Sequence, residues 1–135
     1  MVEREDIRRL LALFYGRARE DAVLGPVFAR AVGATDEAWA AHLARIEEFW
    51  AQVMLRSGRY DGNPLQAHAN LLPELESAMF DRWLGLFGEA CAEALAPDAA
   101  ALFLARAEAI ARSLRLGLFD RLPAALNAPR AGRSR

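Results

Sequence analysis

Apolar residues recur along most of the chain at spacings of three and four positions, the period of an amphipathic α-helix. The first such stripe comprises Ile7, Leu10, Leu11, Phe14, Tyr15 and Ala18. Gly25-Pro26 interrupts it, and Pro26 suits the first position of a short second helix that Gly33 can close. Thr35 or Asp36 then offers a cap for a third helix.

The third helix is predicted to run from Asp36 to about Arg56, where Ser57-Gly58 ends it. One of its faces carries Trp39, His42, Ile46, Phe49, Trp50 and Val53. The polar run that follows, Tyr60 to Asn63, predicts a loop. A histidine on this aromatic face is therefore expected to point toward the interior.

A short fourth helix is predicted next, with Asn63 as its cap and Pro64 in its first turn. It extends only to about Leu72, because Pro73 cannot continue a helix. His68 lies mid-helix on the face shared with its leucines, so its imidazole is expected to face the core.

Two further long helices complete the pattern, one from about Ser77 to Ala94 and one that restarts at Pro97-Asp98 and carries the stripe Phe103, Ala107, Ile110, Leu114 and Leu118. The first carries Phe80, Trp83, Leu84, Phe87 and Cys91 in register. After Pro123 the composition turns to Ala, Pro, Gly, Ser and Arg, which cannot bury enough apolar surface to order itself. The sequence therefore predicts an all-α domain over residues 1–122 and a disordered tail over 123–135.

Composition narrows the class of protein. A chain of 135 residues with 54% hydrophobic residues is expected to form one domain. The lone Cys91 excludes a disulfide framework and a zinc site of paired cysteines. A net charge of −1 argues against nucleic-acid binding, and no apolar run reaches the ~20 residues of a membrane span. The charged N-terminus is unlike a signal peptide. We expect a cytoplasmic protein with neither nucleic acid nor membrane as a partner.

Few residues are left to carry chemistry. Lysine is absent, which excludes lysine-centred catalysis, and glycine-rich phosphate loops and metalloprotease motifs are also missing. A di-iron bundle requires an acid three residues before its histidines, whereas Trp39 precedes His42 and Leu65 precedes His68. Two inward histidines and an excess of aromatics remain. Each has an ordinary interpretation as core, but together they favour an apolar slot for a flat cofactor such as haem.

At this point the sequence resembles the group III truncated haemoglobins, over about Asp6 to Leu122. Five stretches carry the resemblance: Phe14-Tyr15; Leu24-Gly25-Pro26-Val27-Phe28; His42 with Ile46 and Phe49-Trp50; Tyr60-Asp61-Gly62-Asn63-Pro64 leading to His68; and Phe80-Asp81-Arg82-Trp83-Leu84 with Phe87. The resemblance implies a globin-like two-over-two helical sandwich around haem b (iron protoporphyrin IX).

The resemblance also implies roles for single residues. His68 corresponds to the proximal iron ligand, Tyr15 to a distal tyrosine that donates to bound oxygen, and His42 and Trp83 to further distal residues. The implied remainder of the pocket is Phe14, Ile46, Phe49, Trp50, Leu65, Leu72 and Phe87. Arg45 and Arg59 lie beside these elements and are candidates to pair with the haem propionates, since arginine binds carboxylates in a bidentate manner. Ordinary surface arginines are the alternative.

Three functional hypotheses follow. The first is a binder of O2, NO, CO or other diatomic gases, expected to be a monomer. The second is a haem enzyme, such as an NO dioxygenase served by a reductase or a peroxidase-like protein. The third is a haem-free helical module that binds a partner or an apolar ligand, and it predicts that the purified protein lacks a Soret band.

Overall fold

A computed structural model describes residues 2–120, which form six α-helices and a final π-helical turn, without a strand among them. The elements are α1 (Arg4–Glu20), α2 (Leu24–Val32), α3 (Asp36–Leu55), α4 (Pro64–Ala69), α5 (Ser77–Ala94), α6 (Pro97–Arg115) and the π turn (Leu116–Asp120). The all-α prediction is confirmed. The predicted tail, 123–135, lies outside the described residues, so its disorder and the domain boundary at 122 stay predictions.

Several helix ends follow from local sequence. The Thr35 hydroxyl accepts from the backbone N–H of Ala38 at 3.1 Å, and the Asn63 side chain accepts from Gln66 N–H at 3.1 Å. Each residue thus satisfies one of the unpaired amides at a helix start. Gly33 follows α2 with φ of 109°, a left-handed region that favours glycine.

Two predicted helix bounds were wrong. α2 begins at Leu24 rather than Pro26, because the Asp21 carboxylate accepts from Val23 N–H at 3.0 Å and Leu24 N–H at 2.9 Å. α4 ends at Ala69 rather than near Leu72. There the backbone tightens to a three-residue spacing, with Leu72 N–H donating to Ala69 O at 3.1 Å.

The four long helices form two packed pairs. α1 packs on α3, α5 packs on α6, and α1 joins the pairs through its contact with α5. This is the expected two-over-two sandwich. At its centre Phe14 of α1 is fully buried, with its ring edge-on to Phe87 of α5 at 5.2 Å between centroids. None of the described helices combines the length and the apolarity that crossing a membrane requires.

The buried apolar residues form two clusters. The larger lies around α1 and includes Tyr15, Trp39 and Trp50. The smaller consists of Leu75, Phe80, Ala111 and Leu114. Trp83 packs against both clusters from its position on α5. The interior thus contains two apolar clusters, and the candidate site lies between them.

Candidate cofactor site

A cavity of about 510 Å³ lies between the two apolar clusters, and it is lined by members of both. Its lining includes eight of the residues expected from sequence: Tyr15, His42, Arg45, Ile46, Phe49, Trp50, His68 and Trp83. They come from α1, α3, α4 and α5, so only the tertiary fold brings them together. A volume of this size and an apolar lining are typical of a cofactor site.

Two expected pocket residues, Phe14 and Phe87, lie behind the lining rather than in it. Both are buried in the interface between α1 and α5, and both contact Trp83: Phe14 edge-on at 5.9 Å and Phe87 stacked at 5.2 Å between ring centroids. Their contribution to the cavity is indirect, because they fix the indole that lines it.

Leu65 and Leu72 also lie outside the lining, at 38% and 36% exposure. Leu65 is turned toward the π turn, where a Cβ on Gly117 would lie 2.8 Å from Leu65 Cδ1. Leu72 follows the end of α4, so helical periodicity no longer sets its direction. Arg59 likewise does not line the cavity.

The structure adds lining residues that sequence reasoning did not assign. On α2 they include Leu24, Phe28, Arg30 and Ala31, and beyond α4 they include Leu75, Met79, Phe80, Ile110, Ala111 and Leu114. Leu24, Phe28 and Ala31 are spaced about one helical turn apart, and this spacing could have predicted that they share the face that lines the cavity. Phe80 lies one turn before Trp83 on the same face of α5, and its spacing could have been used in the same way.

His68 has its Nδ1 only 2.6 Å from the carbonyl oxygen of Pro64. A carbonyl can only accept, so Nδ1 is the nitrogen that carries a proton, and in the neutral imidazole Nε2 then has the lone pair. The bond exists because Asn63 and Pro64 start the helix, which places the residue four positions later over the first carbonyl. Such an outer hydrogen bond is what orients a metal-binding histidine.

His42 presents a different picture on α3. Its Nε2 is buried and has no hydrogen-bond partner among the described residues. The ring is held edge-on between Tyr15, at 5.6 Å, and Trp39, at 5.4 Å between centroids. Burial lowers the pKa of His42, and the nearby Arg45 charge lowers it further. The imidazole is therefore neutral at neutral pH, with one nitrogen free for a ligand.

Tyr15 is a buried donor whose ring lies edge-on to the His42 imidazole. Burial raises the pKa of its phenol far above the usual range, so the hydroxyl keeps its proton. The side-chain hydrogen bonds of the described residues include none to this hydroxyl. Phe14 and Phe28 hold the ring edge-on, at 4.8 and 5.5 Å between centroids. The cavity thus has a donor in a fixed position.

A loop folded back on α3 supplies Tyr60 to the lining. Arg59 N–H donates to Glu48 Oε1 at 2.9 Å, and Tyr60 N–H donates to Gln52 Oε1 at 3.1 Å. The Tyr60 ring then meets Phe49 edge-on at 5.2 Å between centroids. These contacts hold Tyr60 against α3, so that its ring forms part of the cavity wall.

The residues present fit a haem. The lining is mainly apolar, and one imidazole offers a lone pair while its other nitrogen is fixed by a carbonyl. A second imidazole, that of His42, packs against Tyr15 and Trp39 of the larger cluster and has a nitrogen without a partner among residues 2–120. Arg30 and Arg45 line the cavity and are exposed, and arginine binds carboxylates such as those of a haem. The fold and this donor set define a globin-type haem protein.

Comparisons with known proteins give the family. The chain is 38% identical over 110 residues to the Group 3 truncated hemoglobin ctb of Campylobacter jejuni, covering 82% of this chain and 86% of that protein. The crystal structure of a group III truncated hemoglobin from Campylobacter jejuni matches with a TM-score of 0.86 at 35% identity, over 91% of this chain and 96% of that one. No protein-family model matches the chain. The chain belongs to the group III truncated haemoglobins.

Proposed function

We propose that this protein binds O2 or another diatomic gas at a haem iron held by His68. The observation that carries the proposal is the contrast between the two imidazoles of one cavity. His68 has Nδ1 hydrogen-bonded to Pro64 O at 2.6 Å, whereas His42 has a buried Nε2 for which residues 2–120 provide no partner. The first arrangement suits a permanent metal ligand, and the second suits a group that meets an exchangeable ligand.

Haem, when bound, would supply an iron atom able to take a diatomic gas, and His68 would hold that iron. The cofactor is proposed to be haem b, bound without covalent attachment. Covalent attachment of the c type uses a Cys-x-x-Cys-His motif, and Cys91 is the only cysteine.

The distal residues are assigned by their chemistry. The Tyr15 hydroxyl is the strongest candidate to donate a hydrogen bond to O2, since it stays protonated and its ring is fixed on two sides. The Trp83 indole can donate as well but cannot accept. Neutral His42 can do either, depending on its tautomer. Arg45 is proposed to pair with a haem carboxylate at the cavity wall.

The visible spectrum of the purified protein tests the proposal. The protein reconstituted with haemin is expected to show a Soret band that moves on reduction and again on addition of O2 or CO. His68→Ala should lose most of the bound haem, whereas His42→Ala should keep it and change the ligand rates. A protein that takes up no haemin, or one in which His68→Ala leaves the spectrum unchanged, would contradict the assignment.

A further inference from the structure

One polar contact crosses the cavity wall between α2 and the segment that carries His68. The guanidinium of Arg30, on α2, donates from Nη1 to the backbone carbonyl of Leu71 at 3.1 Å. The same nitrogen lies 2.6 Å from Glu74 Oε1. Arg30 and Leu71 both line the cavity. With 46% of its side chain exposed, Arg30 lies where the cavity meets solvent.

The main chain of Leu71 connects this contact to His68. Its N–H donates to the carbonyl of His68 at 3.0 Å, while its own carbonyl accepts from Arg30 and from the N–H of Leu75 at 3.1 Å each. Leu75 is buried in the smaller apolar cluster and lines the cavity. A displacement of Leu71 therefore moves both the residue that carries the imidazole and part of the cavity floor.

The segment has few other anchors. α4 is a helix of 6 residues, and its packing contacts are chiefly with α6 and the π turn rather than with α2. So short a helix is not stable by itself and depends on tertiary contacts. The Arg30 contact is the one polar link, among residues 2–120, that joins α2 to the stretch 70–74.

From these contacts we propose that Arg30 is a positioning residue, which with Glu74 clasps the His68-bearing segment to α2 and slows the loss of haem. The inference rests on the proposed haem binding at His68. Haem leaves such a cavity when the walls separate, and opening this wall breaks the Arg30 contacts to Leu71 and Glu74. Arg30 is not required to touch the cofactor, which separates this role from pairing with a haem carboxylate.

The rate of haemin transfer from the holoprotein to excess apomyoglobin measures the clasp. Arg30→Ala removes both contacts and Glu74→Gln removes the ion pair alone. Both partners are partly exposed, so we expect Glu74→Gln to speed transfer about two- to fivefold and Arg30→Ala somewhat more. The double variant should lose haemin no faster than Arg30→Ala, because Arg30→Ala already removes the ion pair that Glu74→Gln removes. Arg30→Lys should fall between Arg30→Ala and the parent protein, since an ammonium lacks the planar fork.

Arg17→Ala is the matched control. Arg17 joins Glu93 by two bonds of 2.8 and 2.7 Å between α1 and α5, at a similar exposure, but neither residue lines the cavity. Its transfer rate should equal that of the parent protein. Circular dichroism of each variant verifies that the helices are retained.

A second arm uses haemin dimethyl ester, which has no free carboxylates. The clasp predicts the same ratio of rates between parent and variants with this cofactor. A ratio that collapses to one with the ester would show that Arg30 acts on the cofactor directly and would overturn the clasp. A Glu74→Gln variant that transfers haemin at the parent rate would show that Glu74 takes no part in holding the segment, and would overturn the clasp as well. If the parent protein binds no haemin, the proposed function fails and the clasp with it. If it binds haemin and all variants transfer it equally, the clasp alone fails.

Discussion

The ring of Tyr15 meets the imidazole of His42 edge-on, with 5.6 Å between centroids and an interplanar angle of 87°. The two residues come from α1 and α3 and line the same cavity. One is a protonated phenol and the other a neutral imidazole with an unpartnered nitrogen. This pair adds two hydrogen-bonding groups to a mainly apolar lining, and two predictions follow from it.

Tyr15→Phe should speed O2 dissociation from the ferrous holoprotein at least tenfold. A hydrogen bond to a partly charged acceptor contributes about 1.5–3 kcal/mol, which corresponds to roughly 10- to 140-fold. Carbon monoxide is less polar when bound and should be affected less. Stopped-flow or flash photolysis measures both rates. The control, Tyr60→Phe, removes a tyrosine hydroxyl from another part of the lining and should leave the O2 dissociation rate unchanged. An unaltered rate in Tyr15→Phe would remove Tyr15 from this role.

His42→Leu should stabilise the haem-free protein by about 1 kcal/mol at neutral pH, because it removes a buried polar nitrogen that has no partner in the described part of the chain. The stability of His42→Leu relative to the parent protein should increase further as the pH is lowered. The pKa of His42 is lowered in the folded state, so the unfolded chain takes up the proton first as pH falls through 6.5, and the parent protein loses stability there. Urea unfolding at two pH values measures this. His68→Leu, which breaks a hydrogen bond, should give no such gain, and a destabilised His42→Leu would contradict the argument.

Asp21 should account for part of the acid sensitivity of the fold. Its carboxylate is 4% exposed, accepts from Arg82, and caps α2 through Leu24 N–H. These bonds hold the pKa of Asp21 at about 2, against 3.8 for the free group. A lowered carboxyl pKa contributes stability above about pH 4, and that contribution is lost as pH falls toward 2. Asp21→Asn should therefore have a lower free energy of unfolding than the parent protein near neutral pH. Near pH 2 the free energies of unfolding of the two proteins should be similar.

Urea titrations of the haem-free protein across this range measure the effect. The control is Glu93→Gln, whose side chain is 55% exposed in its pair with Arg17. An ion pair in solvent contributes little, so this variant should follow the parent curve closely. A constant difference between Asp21→Asn and the parent at every pH would show that the loss is one of packing rather than of charge.

Gly58→Ala should destabilise the fold by about 1–3 kcal/mol, as overpacking does. A Cβ there would overlap the backbone oxygen of Glu48 and lie 2.5 Å from Gln52 N. Backbone atoms of α3 cannot yield, so the loop that supplies Tyr60 must move. Gly16→Ala and Gly85→Ala are the controls, since both glycines lie within helices and a Cβ would meet nothing within 4 Å. Each should gain up to about 1 kcal/mol. Equal effects in all three would refute the close approach.

Local signals in the sequence predicted most of the helices. The cap at Thr35, the Asn63-Pro64 start and the break after Gly33 act within a few residues of themselves, so composition and order suffice to find them. The bounds that failed depend on more distant or subtler contacts. The start of α2 is moved by the Asp21 side chain, which is itself held by Arg82 from α5. No residue near Asp21 in the sequence indicates that Arg82 is its partner.

The candidate site divides in the same way. Helical periodicity placed His42, Ile46 and Trp50 on one face, because they share a single long helix and its geometry is fixed. The resemblance placed Leu65 and Leu72 in the pocket as well, but both lie outside the lining, because α4 is too short for helical periodicity to set which side faces the cavity. Arg30 gave no sequence signal at all, since its two partners follow α4, far along the chain.

The sequence by itself determined the helices, the family, and the small set of residues able to carry chemistry, because these depend on local propensity, periodic burial and residue type. The tertiary structure decided which of those residues share one cavity, which imidazole nitrogen is tied and which is free, and which arginine lies across the wall. Those properties depend on contacts between helices distant in sequence, and such contacts exist only after the two apolar clusters have formed around the space between them.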